Sequence, residues 1–448
     1  MTVLFIKVKT QQDQNLRFVI FCKPNSDKIV GLFQRNDHLY FLENFEEKGF
    51  VFAPFDANDF PFLPLEYSDV FVENVNSRDF FVSNVSSISE NLEAKNDFEN
   101  LVAKGIQAIK NNQFQKVVLS RKEEISVTDF DVEVTFKRLV TNYPTAFKYC
   151  FFHPKIGTWL GATPEQLLQT NGNALKTVAL AGTQLNVENQ EVIWQEKEKY
   201  EQQLVTDFIV GSLEDLVKEI TISSPYSVKA GNIWHIKTDI SATAKNKNAF
   251  QKIIKSLHPT SAVCGLPKEV AKEFILEHEN YDREFYAGFL GEMNIDLLTF
   301  KLQKTDLFVN LRCMKIEDKI ANLYIGCGIT EDSIPENEYI ETVNKSRALR
   351  RAVQQHPVHL IGRADVQPVR GMHRQDQFWL PGQFARGHEA QLQVRMRCHQ
   401  TDQLGAGMAA GADDADGERG GSAHACVLMR ANRGGAAGGA SRPAIPHR

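Results

Sequence analysis

Apolar and polar positions change period several times along the first 350 residues, and each change marks an element. Residues 1–90 read as short strands with turns, as in Leu16–Cys22 and Lys28–Phe33, and hold no reactive constellation. A helical period follows from about Asp97 to Asn111, with Leu101, Ile106 and Ile109 on its apolar side. Lys116-Val-Val-Leu-Ser-Arg121 is then a β-branched run that predicts a strand. Alternation puts Lys116, Val118 and Ser120 on one face, and Val117, Leu119 and Arg121 on the other. Two apolar runs, Thr158–Gln169 and Ala174–Ala181, flank Asn171-Gly172-Asn173, a hairpin signal in which both turn residues are expected at positive φ. A long helix is predicted over roughly Glu188–Ile220, and another over about Pro267–Glu279 with its proline in the first turn. Strands near Asp306–Ile316 and Ile320–Ile329 close over a short charged turn. Ser333-Ile-Pro-Glu336 fits a capping box that opens a last helix running to about Arg350. Strands mixed with long helices, without βαβ alternation, predict an α+β architecture.

Within this frame a few polar side chains sit where apolar ones are expected. A lysine turned into an interior loses hydration, which favours the neutral amine and makes Lys116 a candidate base; on an edge strand it would only blunt aggregation. Glu165, in Gly161-Ala-Thr-Pro-Glu165, interrupts two apolar strands, and a carboxyl against apolar walls can serve as a general acid. The alternative is a surface glutamate. Glu201 shares a helix face with Leu204, Val205 and Phe208, and a buried carboxylate needs a cation. Glu198 lies one turn before it; Glu338 and Glu341 form a like pair on the last helix, with Lys345 four residues on. Two helices each offering an i,i+3 glutamate pair could hold a hard divalent ion such as Mg²⁺, or could be solvated faces. Arg312 alternates with Phe308, Asn310 and Met314, and the next strand has Gly326 and Gly328, whose backbone N–H groups are open to a ligand. That combination suits a carboxylate clamp, or plain strand packing with an ion pair.

Composition changes one part of this picture. The 448 residues are average in class, 42% hydrophobic and 24% charged, with mean hydropathy −0.31 and formal net charge −5. No apolar run is long enough to span a membrane, Met1–Thr10 carries lysines where a signal peptide needs an apolar core, and the mild negative charge disfavours nucleic acid. Seven scattered cysteines form no disulfide framework or zinc knuckle, which together with the rest predicts a cytoplasmic protein. The averages hide a break, however. Residues 351–448 contain no lysine, against 30 before them, and hold 14 of the 28 glycines and 12 of the 21 arginines. They are formally +4, and residues 1–350 are −9. This Gly/Ala/Arg-rich tail reads as disordered or as sequence of foreign or frameshifted origin, and its isolated Arg-Gly steps are a weak nucleic-acid signal. The chemistry is expected in 91–350, with 1–90 a β-rich part of the same fold.

The segments KVVLSR (116–121), WLGATPEQLL (159–168), ALAGT (179–183), EKEKYEQQLV (196–205), IWHI (233–236), LHPTSAVCGLP (257–267), DREFYAGFLG (282–291), LRC (311–313) and GCGITEDSIPENEYIETVNK (326–345) resemble, in order, the chorismate-utilising enzymes, and most closely the isochorismate synthases. The resemblance covers about 230 residues and stops near residue 350. It implies a large α+β fold with helices outside two packed antiparallel sheets. It implies Lys116 as the water-activating base, Glu165 as general acid, Glu201 and Glu341 as Mg²⁺ ligands, and Glu198 and Glu338 beside the metal. Tyr286, Arg312 and the backbone at Gly326 and Gly328 match the grip on the enolpyruvyl carboxylate, and Gly182, His235 and Lys345 fall at pocket positions. Anthranilate synthases carry glutamine where Lys116 stands, and aminodeoxychorismate synthases typically place a nucleophilic lysine at the position of Ala181. Water is therefore the nucleophile that the resemblance implies, and chorismate-to-isochorismate isomerisation the reaction. Gly-Cys-Gly at 326–328 and Tyr339 depart from the commoner Gly-Ala-Gly and tryptophan. A salicylate synthase and a catalytically silent chorismate-binding homologue remain alternatives. The expected protein needs no obligatory protein partner and can act as a monomer. It could feed menaquinone or siderophore synthesis, with menaquinone the simpler expectation.

Overall fold

The computed structural model describes residues 2–75, 91–127, 129–185, 192–230, 233–246 and 248–353. All of these fall in the first of two units into which the chain divides. The expected tail beyond Val353 lies outside the described residues.

Two antiparallel sheets carry the fold. The first runs Gly265–Leu266, Lys116–Ser126, Ile320–Ile329, Cys313–Glu317, Gly157–Thr163, Phe147–His153, Phe18–Cys22, Lys28–Gln34 and Ser68–Asn74 from edge to edge. The second runs Val217–Ile222, Ile233–Ala244, Ala174–Leu185, Gln166–Asn171, Lys304–Val309, Phe289–Met293, Gly49–Ala53, Pro61–Pro64 and Tyr40–Phe41, with Tyr226–Ala230 added beside Ile233–Ala244. The apolar run of Phe18–Cys22 shows why the sheets stack: both of its faces are covered. Val19 and Phe21 belong to the core shared with the second sheet, while Phe18, Ile20 and Cys22 belong to a core under helices. Aromatic pairs cross the inter-sheet layer, Phe52 on Phe151 and Phe147 on Phe308, each with ring centroids 4.4 Å apart. Trp159 and Tyr149 are fully buried with them, and each such side chain contributes about 1.5–3 kcal/mol.

Helices close the outer faces. α1 (Val3–Asp13), α2 (Leu92–Lys110), α3 (Val132–Asn142) and α7 (Pro335–Val353) cover the first sheet, and α4 (Glu196–Leu213) packs on the second. α5 (Ala249–Leu257) lies against α4, and α6 (Lys268–His278) leads into the segment under Lys116–Ser126.

Several elements differ from the pattern-based expectation, for physical reasons. Residues 3–13 form α1, because Leu4, Phe5 and Val8 bury one side against the first sheet, although the remaining residues blur the helical period. α2 begins at Leu92, five residues early, where the Asn91 side chain accepts the Ala94 N–H. The long helix ends at Leu213, and the chain re-enters the second sheet at Val217. The hairpin forms with Asn171 opposite Ala174, but of its turn residues only Gly172 takes a positive φ, +59°. Asp306–Ile316 is not one strand. It leaves the second sheet at Val309, crosses at Asn310–Arg312 and joins the first sheet at Cys313. α7 begins at Pro335, and the Ser333 hydroxyl accepts the Thr330 N–H rather than opening a capping box. It runs on to Val353 with Ala352 and Val353 buried, so the compositional break after residue 350 falls inside the folded body.

Candidate active site

Two sheet crossings build the centre of the site. Thr163-Pro164-Glu165 carries the chain from the first sheet to the second, and Asn310-Leu311-Arg312 carries it back. They are stitched together. The Val309 N–H donates to the Glu165 carbonyl (2.9 Å), the Ala162 N–H to the Arg312 carbonyl (3.1 Å), and the Thr163 hydroxyl to the Val309 carbonyl (2.6 Å). The buried Asn310 amide locks the return crossing, accepting from Tyr149 (2.6 Å) and donating to the Phe285 carbonyl (2.8 Å). Arg312 sits at φ +50°, a left-handed conformation that turns the chain into the first sheet.

Glu165 and Arg312 open into a cavity that both sheets, α4 and α7 line. Gly182, His235, Tyr286, Gly326, Gly328, Lys345, Glu198, Glu201, Glu338 and Glu341 line it too. Glu165 is 7% exposed. Burial pushes its carboxyl up to about 7, with Lys116, Lys345 and Arg312 pulling the other way. The Arg312 guanidinium has no ion-pair partner within 4 Å among the described residues, and burial lowers its pKa against the opposing pull of Tyr143, Glu341, Tyr286 and Glu165. Bare backbone at Gly326 and Gly328 lines the same cavity. A Cβ on Gly326 would stand 2.6 Å from the Tyr286 hydroxyl, and one on Gly328 would overlap Glu201 Oε1.

Lys116 lies behind this wall. The alternation read from the sequence holds: Val117 and Leu119 join the core with α2, while Lys116 and Val118 face inward and the Ser120 hydroxyl reaches Glu279. Lys116 is fully buried, so the edge-strand alternative fails, and its Nζ is 2.8 Å from Glu201 Oε1. Burial would raise the Glu201 pKa, but Lys116, Lys345 and Lys197 together hold it low.

Glu198 and Glu338 stand on the first turns of α4 and α7, with Glu201 and Glu341 one turn further on. Lysines neutralise three of them: Lys116 on Glu201, Lys345 on Glu341 (2.7 Å) and Lys197 on Glu338 (3.1 Å). Lys345 is pinned further by donating to the Gly326 carbonyl (3.0 Å). Burial and the neighbouring Glu341 raise the Glu338 pKa, the behaviour of carboxylates that lack enough positive charge. Glu198 accepts the Gln195 N–H (3.0 Å) as part of a capping box. Among the described residues no three acidic, cysteine or histidine groups converge on one point. An all-oxygen set with spare negative charge still fits Mg²⁺, which takes one or two carboxylates and keeps its waters.

His235 owes its orientation to a bulge. The pairing of Ala174–Leu185 with Ile233–Ala244 slips between Ala181 and Thr183, and Gly182 takes φ +71° there. Its carbonyl lies 3.0 Å from His235 Nδ1, which makes Nδ1 the donor and leaves Nε2 as an acceptor. Burial lowers the His235 pKa to about 3, keeping the ring neutral.

Sequence reasoning missed two parts. Lys197 was hidden in the Glu196-Lys-Glu-Lys199 alternation, which reads as a solvated helix face. The Glu279–Arg283 pair behind the site was missed although its i,i+4 spacing was visible. Glu279 accepts from the Ser120 N–H (2.7 Å) and hydroxyl (2.8 Å). Arg283 donates to Glu279 and to the carbonyls of Val118 (2.7 Å) and Val263 (2.9 Å), and its guanidinium lies 5.6 Å from the Tyr286 ring. This network fixes the Lys116 strand, the Val263 wall and Tyr286 relative to one another.

Fold and cavity together define a class: a two-sheet α+β protein whose pocket holds a near-neutral carboxyl and a guanidinium without an ion pair among the described residues, with a buried amine behind the pocket wall. The family described as chorismate binding enzyme matches residues 68–354, and the chain belongs to that family. It is 31% identical over 268 residues to the isochorismate synthase MenF of Pasteurella multocida, covering 57% of this chain and 60% of that one. It is 29% identical over 256 residues to the isochorismate synthase EntC of Escherichia coli, covering 55% and 64%. The match thus spans about three fifths of these relatives. The solved structure of MenF, the menaquinone-specific isochorismate synthase from Escherichia coli, shares the fold, with TM-score 0.64 at 21% identity over 75% of this chain and 89% of that one. The anthranilate synthase component I of Streptococcus pneumoniae does so at TM-score 0.56 and 18% identity, over 75% and 92%.

Proposed function

We propose that the protein is an isochorismate synthase that converts chorismate to isochorismate with Mg²⁺. The observation that carries this reading is the meeting of Glu165, at about 7, and Arg312 at one pocket, with Lys116 directly behind its wall on Glu201. Arg312, Tyr286 and the backbone at Gly326 and Gly328 hold the enolpyruvyl carboxylate. Lys116, released from Glu201, takes a proton from the water that attacks C2. The ring double bonds shift, and Glu165 protonates the departing C4 hydroxyl. His235 Nε2 accepts a hydrogen bond from the substrate. Glu201 and Glu341, with Glu198 and Glu338 beside them, would hold Mg²⁺, which would supply positive charge for the ring carboxylate. Lysine at 116 and alanine at 181 favour water over ammonia or an enzyme amine as nucleophile.

The reading carries a cytoplasmic setting and action without a protein partner. The cysteines at 22, 150, 264, 313 and 327 are free and buried, and among the described residues no helix is long and apolar enough to cross a membrane. The test is product analysis of the full chain with chorismate, with Mg²⁺ and with EDTA. Isochorismate formed only with Mg²⁺ is the expected result. Salicylate and pyruvate would make the protein a salicylate synthase, and no chorismate consumption a silent homologue. Loss of menaquinone, rather than of an aromatic siderophore, on deleting the gene would assign the pathway.

A further inference from the structure

Three lysines neutralise the glutamates of α4 and α7, and they are not equivalent. The Lys116 side chain is 1% exposed and shut behind the pocket wall. Lys345 is held from two sides, by Glu341 and by the Gly326 carbonyl. Lys197 makes one ion pair, to Glu338, and its side chain is 36% exposed while that of Glu338 is 4% exposed. Its charge acts chiefly on Glu338 and, less strongly, on Glu201 and Glu341. Lys199, two residues on, shows what an ordinary surface pair looks like on the same helix: it meets Glu196 with both side chains mostly in water. Lys197 instead bridges the first turns of two helices over buried carboxylates, and it is the most exposed of the three, at 36% against 17% for Lys345 and 1% for Lys116.

We propose that Lys197 is a displaceable counter-ion: its ammonium fills the charge position of the divalent ion in the metal-free protein, and the ion binds by driving it out toward solvent. This rests on the metal reading of the same site. Two consequences follow. Without metal, Lys197 keeps two acidic helix starts together that would otherwise repel. With metal, it competes, so the apparent affinity for the ion is lower than the carboxylates alone would give. The protein gains a folded metal-free state at the expense of metal affinity.

The experiment is calorimetric titration of chelator-treated full chain with Mn²⁺, for the wild type, Lys197→Gln and Lys197→Arg. Removing the competitor should tighten binding about tenfold in Lys197→Gln, equal to ~1.4 kcal/mol, while Lys197→Arg stays near the wild type. Metal-free Lys197→Gln should melt below the wild type and gain more on adding Mn²⁺. Unchanged or weaker binding in Lys197→Gln overturns the proposal while leaving the metal reading intact. A wild type that binds no Mn²⁺ overturns both. Reductive methylation of the folded wild type, read residue by residue by mass spectrometry, tests the same movement without a variant. Lys197 labelling should rise several-fold with Mg²⁺, and equal labelling with and without the ion refutes displacement.

Discussion

Replacing Glu165 by glutamine keeps the shape of the protonated carboxyl and removes its titration. The carboxyl is 7% exposed and is pushed by burial from its ordinary 4.5 to about 7. The folded state therefore holds its proton more tightly than the unfolded chain does. Stability is greatest below the unfolded value, falls as pH rises from about 4.5 to about 7, and levels off above that. At 1.36 kcal/mol per unit, the whole loss is roughly 3 kcal/mol. Roughly 1 kcal/mol of it is already lost by about pH 5.5, and roughly 2 kcal/mol more goes by about pH 8.5. Urea unfolding of the wild type and Glu165→Gln at those two pH values isolates this group, since other titrations cancel in the difference. The variant should gain about 2 kcal/mol on the wild type between them. Catalysis should move the opposite way: kcat of the wild type declines as pH passes about 7, and the variant loses about 10²- to 10⁴-fold at any pH. A stability difference that is the same at both pH values would refute the buried-acid argument, whatever the activity.

Lys116→Gln should abolish turnover while chorismate still binds, as seen in equilibrium binding beside a product assay; near-normal turnover sinks the base assignment. In Gly328→Ala the new Cβ overlaps Glu201 Oε1 and stands 3.2 Å from Lys116 Cε, so kcat should fall at least 10²-fold, with about 1–3 kcal/mol lost in unfolding. A chain ending at Val353 should keep its activity and melting temperature, whereas one ending at residue 350 loses the buried Ala352 and Val353 and roughly 2 kcal/mol, read by thermal melting.

The strand at Lys116, its alternation and the hairpin at Gly172 were legible because they depend on neighbours two to four residues away. So was the pairing of glutamates one turn apart on α4 and α7. Motif resemblance named the site residues, and the cavity lining gathers them, Lys116 excepted. Other features were not legible. The split of Asp306–Ile316 between two sheets leaves its apolar pattern unbroken, because both sheets bury the same kind of side chain. α1 was lost for a similar reason, since three buried apolar positions in eleven, with the fourth buried position a glutamine, scarcely mark a period.

Sequence alone determined which side chains could do chemistry: an amine on an inward strand face, a carboxyl between apolar runs, and glutamates at helical spacing. Tertiary structure decided what state each is in. Glu165 becomes a near-neutral acid because two sheet crossings, far apart in the chain, bury it beside Arg312. Lys116, Lys197 and Lys345 become counter-ions because α4 and α7 start at the same place. Protonation and pairing depend on the local dielectric and on charges brought in from across the fold, and neither is written in the order of neighbouring residues.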